Sequence, residues 1–249
     1  HPHAVTAARP IPYCWRDEIK SQLDELVAQN VIAQVDYPTP WCHPIVPVAK
    51  KPSGVRLTVD LTRLNKYVRR PAYPVRSPQD AVAAMGTGAR WMTTCDAKNG
   101  YFQVEIAEDC QDLTCFMTPW GRFKFLRGVQ GLISTGDYYN LRGDQILGDI
   151  PQTVKIVDDI LAYDYTYREH LQHVITIVQR CDAAGITLNP NKFHFGKSSV
   201  DYCGFIISAN GYTSDARKTE AISKFPRPQN ITDLRSFMGL TNQLAPFCS

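Results

Sequence analysis

No apolar run in this chain approaches the ~20 residues that a bilayer-spanning helix needs, and the opening His1-Pro2-His3 shows no charged-then-apolar leader. Those two absences remove the membrane-spanning and secreted classes. Charge of one sign is also scarce: 27 Lys and Arg against 24 Asp and Glu leave +3 over 249 residues. That surplus is too mild to mark a nucleic-acid binder by bulk charge, so any basic surface must be local. The 8 cysteines include no Cys-x-x-Cys, and none pairs with a His at zinc-finger spacing. Reduced, packed thiols in an intracellular protein fit that pattern best. There is no internal repeat or low-complexity tract. The chain lacks an initiator Met and stops just after a helical pattern, so it reads as a piece of something longer. What remains is an ordinary globular composition, 44% hydrophobic and 20% charged, enough for one good-sized core or two small ones.

Ile19, Leu23, Leu26 and Val27 fall at helical spacing within 16–30, and the β-branched stretch 31–35 follows. Residues 45–49 and 55–61 read as two strands joined by a Lys-Lys-Pro-Ser-Gly turn, and 114–126 as a second hairpin around Pro119-Trp120-Gly121. Ser77-Pro78-Gln79-Asp80 is a helix start with a Ser cap, a Pro in the first turn and an acid at the capping-box position. A strand over 90–95 ends in Asp96. Ser134 or Thr135 can cap a helix reaching Leu147, residues 153–163 alternate like a hairpin, and 167–184 is an amphipathic helix closed by Gly185. His170 and His173 lie three apart on that helix and could share a ligand face, but no further Cys or carboxylate motif stands beside them. Strands are expected at 186–188 and 201–208. Helices at 214–225 and 231–244, separated by Pro226-Arg227-Pro228, suggest a helical subdomain after Gly211. Strands and helices interleave without regular alternation, so the fold class is α+β with mainly antiparallel hairpins.

Two features carry chemistry. Between 50 and 76, eight basic residues (Lys50, Lys51, Arg56, Arg63, Lys66, Arg69, Arg70, Arg76) face one acid, Asp60, which is the local basic surface hidden by the net charge. Asp158 and Asp159 sit side by side between two apolar β segments, where such a pair repels itself unless a cation is present. A tight turn also accounts for an Asp pair, and a turn can present both carboxylates. Asp96 closes a separate strand, and two strand-end acids can meet in one sheet. If they do, Asp96 and Asp158 can bridge two Mg²⁺ ions ~3.5–4 Å apart, the arrangement of phosphoryl transfer in polymerases and nucleases.

The order of motifs resembles the reverse transcriptase of gypsy-type long-terminal-repeat retrotransposons, and more distantly that of retroviruses. Arg56 through Lys66 resembles the family's fingers motif, and Asp96-Ala-Lys-Asn-Gly-Tyr-Phe-Gln103 its first catalytic motif. Val157-Asp158-Asp159 corresponds to the Xaa-Asp-Asp motif. Gly185 through Lys192, Tyr202-Cys203-Gly204 and Leu234 through Leu240 resemble segments that follow it. The likeness covers nearly the whole chain and implies a right-hand polymerase. Fingers are expected from 30–71 and 104–136, palm from 72–103 and 137–211, and a partial helical thumb or start of the connection from 212–249, after an N-terminal extension and helix at 1–29.

The resemblance also implies roles. Asp96, Asp158 and Asp159 would be the catalytic carboxylates and metal ligands, holding two Mg²⁺ with Mn²⁺ as a substitute. Arg56, with Lys50 or Lys51, would hold the nucleotide triphosphate, as guanidinium and ammonium groups should. Gln130 stands where the retroviral motif has a nucleotide-touching Gln and many gypsy-type elements have Phe. Tyr101 would lie beneath the nucleotide sugar and exclude a 2′-hydroxyl, a part compatible with core packing. Lys192 would protonate the pyrophosphate leaving group, although a Lys after Asn-Pro-Asn is also read as merely exposed. Cys203 and Gly204 would form the turn that grips the primer. Ser134-Thr135-Gly136-Asp137 replaces the small residue and Pro usual in the family, and Asp137 adds an acid near the template path.

The implied activity is RNA-directed DNA polymerisation from a primer 3′-hydroxyl on an RNA or DNA template, using deoxynucleoside triphosphates. RNase H and integrase regions would belong to the parent polyprotein, a dimer is allowed, and no membrane is involved. The expected location is intracellular, in the cytoplasm, a retrotransposon particle or the nucleus. The alternative is a catalytically silent remnant that binds nucleic acid or serves as a structural subunit.

Overall fold

The computed structural model describes residues 2–50, 52–83, 85–214 and 216–245. In chain order the helices are α1 (Arg16–Ala28), α2 (Thr62–Asn65), α3 (Pro78–Ala83), α4 (Glu108–Gln111), α5 (Ile133–Leu147), α6 (Tyr167–Ala183), α7 (Ala216–Ser223) and α8 (Ile231–Leu244). The strands are β1 (Ile32–Val35), β2 (His43–Ala49), β3 (Val55–Val59), β4 (Trp91–Asp96), β5 (Phe116–Thr118), β6 (Gly121–Phe125), β7 (Thr153–Ile156), β8 (Asp159–Asp164), β9 (His194–Lys197), β10 (Ser199–Tyr202), β11 (Phe205–Ser208) and β12 (Gly211–Ser214). The chain divides into two compact units, His1–Pro74 with Asn99–Arg142, and Val75–Lys98 with Gly143–Ser249. None of the helices described is long and apolar enough to cross a membrane.

The first unit is built on a five-stranded sheet in the order β1-β6-β5-β2-β3. Its pairings are antiparallel except for β2 with β5, which run parallel with His43 opposite Phe116 and Pro44 opposite Met117. Strand alternation sends Val55 and Val59 inward, and Ile19 and Leu23 of α1 pack with Ile32, Ile45 and Phe116 in the same core. In the β2–β3 turn the Lys50 N–H donates to the Gly54 carbonyl at 2.9 Å. Gly54 has φ +97°, and a Cβ there would meet a Glu18 carboxylate oxygen at 2.9 Å, so the turn needs glycine. β3 is an edge strand, and α1 covers that edge. The Val55 N–H donates to Glu18 Oε1 at 3.1 Å, the Leu57 N–H donates to Gln22 Oε1 at 3.0 Å, and Gln22 Nε2 donates to the Val55 carbonyl at 2.7 Å.

The second unit holds an antiparallel sheet in the order β7-β8-β4-β9 and a three-stranded sheet β10-β11-β12. Met92 and Leu161 are fully buried in one core, and α6 lays Val174, Ile177 and Cys181 over the other. The helix starts on a capping box, with the Glu169 N–H donating to Thr166 Oγ1 at 3.3 Å and the Thr166 hydroxyl to Glu169 Oε2 at 2.7 Å. It stops at Gly185, φ +69°. The Ser77 hydroxyl and Asp80 N–H make the expected bonds at α3.

His170 and His173 are structural. Their Nδ1 atoms lie 2.7 and 2.9 Å from the same Asp164 Oδ2, and a carboxylate only accepts, so both carry protons there. Their Nε2 atoms meet the Thr93 and Thr153 hydroxyls at 2.6 and 2.8 Å, which occupies all four ring nitrogens.

Four sequence expectations need correction. The helix expected to be capped by Ser134 or Thr135 begins at Ile133, so both residues lie inside α5. Residues 186–188 form a single bridge, Ala97 with Leu188, rather than a strand. The stretch 201–208 is broken at Cys203-Gly204 into β10 and β11, because both residues take positive φ, +50° and +81°. β9 and β12 were not expected: they are four residues each, too short to show an alternation of period two.

Candidate active site

Three acids stand at one end of the sheet in the second unit. β4 and β8 pair so that Asp96 lies directly opposite Asp159. Asp158 occupies the β7–β8 turn after Val157, whose φ of +55° lets the chain reverse there. The Ala97 N–H donates to the Asp158 carbonyl at 3.1 Å, and the Asn189 N–H to the Asp96 carbonyl at 2.8 Å, so the backbone of all three acids is tied to neighbouring strands or turns. The alternation that buries Ile160 and Ala162 on one face of β8 and Leu161 on the other thus delivers polar residues only at the strand's ends.

Removal from water, with the charge of Asp96 added, holds the Asp158 carboxyl above the ordinary range, against the weaker pull of Lys192 and Lys155. Asp159 is shifted in the same direction by loss of hydration and by the charges of Asp96 and Asp158. Asp159 is the more open of the two to water, so screening weakens its share. Lys192, on the 3₁₀ turn Pro190–Lys192, places Nζ 2.8 Å from Asp96 Oδ2, and that bond raises its own pKa. Among the described residues no three His, Cys, Asp or Glu side chains converge into a ready metal cage. The Lys192 ammonium lies against Asp96. The donor set nevertheless fits a hard divalent cation: carboxylate oxygens from adjacent strands, two of them costly to keep charged alone.

Cys203 and Gly204 form the β10–β11 turn beside these acids. The Cys203 thiol is pushed up to about 12 by burial and by Asp159, so it stays protonated and donates to Asp159 Oδ2 at 3.7 Å. Tyr202, buried, donates its hydroxyl to the Asp159 carbonyl at 3.1 Å and the Val154 carbonyl at 3.3 Å. Sequence reasoning quoted Tyr202 as part of a motif without giving it a task. An aromatic with a polar tip beside a Cys-Gly turn was the available signal.

The remaining candidates lie in the first unit. Lys50 and Arg56 are exposed on the β2–β3 hairpin, with Arg56 opposite Val48, while Lys51 lies outside the described residues. Gln130 is exposed in the loop before α5. Asn65 clamps that loop: its Nδ2 donates to the Gly131 carbonyl at 2.7 Å, and its Oδ1 accepts from the Ile133 N–H at 3.1 Å. Tyr101 sits on the 3₁₀ turn Gly100–Gln103, edge-on to Tyr139 with centroids 5.6 Å apart. The approach is close enough that a Cβ on Gly100 would meet the Tyr139 ring at 2.7 Å.

Two residues were missed and one expectation changes. Gln22 bonds the backbone on both sides of Arg56, and Glu18 adds a third contact; their i, i+4 spacing on α1 was the only hint. Asp137 is buried and held below the ordinary carboxylate range by Arg70, whose Nε and Nη2 each donate at 2.9 Å. The added acid is therefore already paired, and its charge is not free to act on a template strand.

Residues 48–207 match the family model described as reverse transcriptase (RNA-dependent DNA polymerase). Among curated relatives, the retrovirus-related Pol polyprotein from transposon opus of Drosophila melanogaster is 31% identical over 245 residues, 96% of this chain and 24% of that protein. The corresponding polyprotein from transposon gypsy of the same organism is 30% identical over 93% of this chain and 23% of its own length. This chain thus spans about a quarter of those relatives. Among solved structures, the foamy viral protease-reverse transcriptase in complex with double-stranded DNA superposes with a TM-score of 0.89 at 22% identity, covering 98% of this chain and 42% of that one. The same viral protein in complex with an RNA/DNA hybrid gives 0.85, at 22% identity and 96% and 32% coverage. At that identity the likeness concerns the fold, a right-hand polymerase with antiparallel sheets.

Proposed function

The chain belongs to the reverse transcriptase (RNA-dependent DNA polymerase) family, and on that premise we propose that it extends a primer 3′-hydroxyl with deoxynucleotides on an RNA or DNA template. The observation that carries this reading is the backbone register that sets Asp96 opposite Asp159 on paired strands, with Asp158 in the adjoining turn.

Asp96 and Asp158 would hold two divalent cations, Mg²⁺ or Mn²⁺, with Asp159 completing the anionic end of the sheet. When bound, such ions polarise the phosphoryl oxygens and neutralise the charge that develops during displacement. Arg56, with Lys50 or Lys51, holds the triphosphate, and Gln130 contacts the nucleotide from the loop that Asn65 fixes. The Tyr101 ring excludes a ribose 2′-hydroxyl, and its packing against Tyr139 keeps it from swinging away. Lys192 leaves Asp96 and gives its Nζ proton to the departing pyrophosphate. The Cys203-Gly204 turn supports the primer end.

In domain terms, fingers comprise 30–71 and 104–136, palm 72–103 and 137–211, and 212–249 begins the thumb. Template, primer and deoxynucleotides are the proposed partners, with a second copy allowed and RNase H and integrase regions in the parent polyprotein. The proposed setting is the cytoplasm, a retrotransposon particle or the nucleus. Extension of a DNA primer on an RNA template by the purified chain, abolished by chelator and restored by Mg²⁺, tests the reading. Hybrid binding with no extension would show a silent remnant instead.

A further inference from the structure

The parallel seam of the five-stranded sheet carries a cysteine on each side. Cys42 immediately precedes His43 on β2, and Cys115 immediately precedes Phe116 on β5, so they stand one step back along the register that pairs His43 with Phe116. The His43 N–H donates to the Cys115 carbonyl at 2.7 Å, which holds the two backbones together at that step. Both side chains are buried in one small cluster with Val35. Neighbouring residues on paired strands lie ~4.8 Å apart, inside the Cα separation that a disulfide spans without moving the backbone.

We propose that Cys42 and Cys115 are a redox-sensitive dithiol that closes to a disulfide under hydroperoxide and fastens β2 to β5. The pair is already polarised. The neighbouring Cys42 thiol and the Arg122 guanidinium draw Cys115 below its usual pKa, while Cys115 and burial push Cys42 up. By contrast, Cys95 and Cys181 pack in one cluster, and burial pushes them to about 12 and about 11. Residues 3–5 are the segment that lies over Cys42, held by Val5 N–H to the Cys42 carbonyl and Cys42 N–H to the His3 carbonyl, and opening of that segment is the route by which peroxide would enter.

The Cys115 thiolate attacks one peroxide oxygen. As the S–O bond forms the O–O bond breaks, leaving a sulfenic acid on Cys115 and hydroxide, which leaves as water with the thiol's proton. Cys42 sulfur then displaces the sulfenic oxygen as a second water and the S–S bond forms. Two thiols and one peroxide give one disulfide and two waters; the sulfurs lose the two electrons that the peroxide gains.

The test treats the full chain with hydrogen peroxide, alkylates free thiols, and maps peptides without reduction. The expected result is a linked peptide containing Cys42 and Cys115 that dithiothreitol releases, and a urea-unfolding midpoint that rises in the wild type but not in Cys42→Ala. Alkylated, unlinked Cys42 and Cys115 in protein whose exposed Cys14 and Cys110 have been oxidised would overturn the proposal, and so would an equal midpoint rise in the variant. Should Cys42→Ala fail to fold, the wild-type peptide map decides alone. None of these outcomes depends on polymerase activity.

Discussion

At Asp158 the chemistry and the stability of the fold make opposite demands. A carboxyl whose folded pKa is raised binds its proton more tightly in the folded state, so its stabilising contribution is fully present below the unfolded value and is lost as pH rises through the folded one. Asp158 is shifted upward by burial and by Asp96, so cation-free protein loses stability between the ordinary carboxylate range and neutrality. Replacing Asp158 with Asn removes that charge while keeping the shape. The variant should melt higher than the wild type at neutral pH without divalent ions, by roughly 2–4 °C for each kcal/mol of repulsion relieved, and should lose most of the Mg²⁺-induced rise that the wild type shows. A lower melting point in the variant, measured by calorimetry with chelator present, would contradict the electrostatic account of the triad. Tyr101 offers a steric counterpart. Tyr101→Ala should raise ribonucleotide incorporation relative to deoxynucleotide, on the order of tenfold or more for a lost steric barrier; competition kinetics showing no change would make the ring a packing residue only.

Among the elements, β3 shows how a helix can stand in for a missing neighbour strand. Gln22 of α1 donates to the Val55 carbonyl and accepts from the Leu57 N–H, so its side-chain amide serves as the strand partner that an edge lacks and fixes the backbone on both sides of Arg56. Arg56→Ala should raise the nucleotide KM or lower the polymerisation rate far more than it weakens hybrid binding. Gln22→Ala should raise KM in the same direction by a smaller factor while costing about 1 kcal/mol of stability per lost bond. If steady-state kinetics of Gln22→Ala show an unchanged KM beside a measurable stability loss, Gln22 protects the edge and does not position Arg56.

The contrast between elements also explains what the sequence revealed. The hairpins read at 45–61, 114–126 and 153–163 were legible because alternation and turn residues are local, although the first ends at Val59 rather than Leu61. That Asp96 and Asp159 could meet in one sheet was open to sequence reading because both stand at the ends of apolar strands, although a tight turn accounted equally well for the Asp158-Asp159 pair. Lys192 on Asp96, Arg70 on Asp137 and Thr93 against His170 join residues 67 to 96 positions apart. No periodicity encodes such pairings, and only the assembled sheets bring them together.

For the whole molecule, charge is distributed rather than amassed. The net +3 is small, the basic stretch 50–76 supplies much of it locally, and several cations are already committed: Arg70 to Asp137, Lys192 to Asp96 and Lys224 to Glu220. The remaining Lys and Arg are scattered among 24 acids rather than gathered into one strongly positive surface, and duplex affinity falls with salt roughly in proportion to the phosphates neutralised. This chain should therefore be distributive, with products that shorten sharply between low and moderate salt when a trap captures released enzyme. Long single-encounter products at moderate salt would mean that a second copy or another partner supplies duplex contacts.

Whether Asp96, Asp158 and Asp159 carry out the proposed DNA synthesis is decided by RNA-templated primer extension with wild type and Asp158→Asn side by side, hybrid binding being measured on the same preparations. The wild type should extend the primer only with Mg²⁺. The variant should lose on the order of a hundredfold or more, the scale of removing one group that stabilises transition-state charge, with hybrid binding little changed. Comparable extension by the two proteins would contradict that assignment.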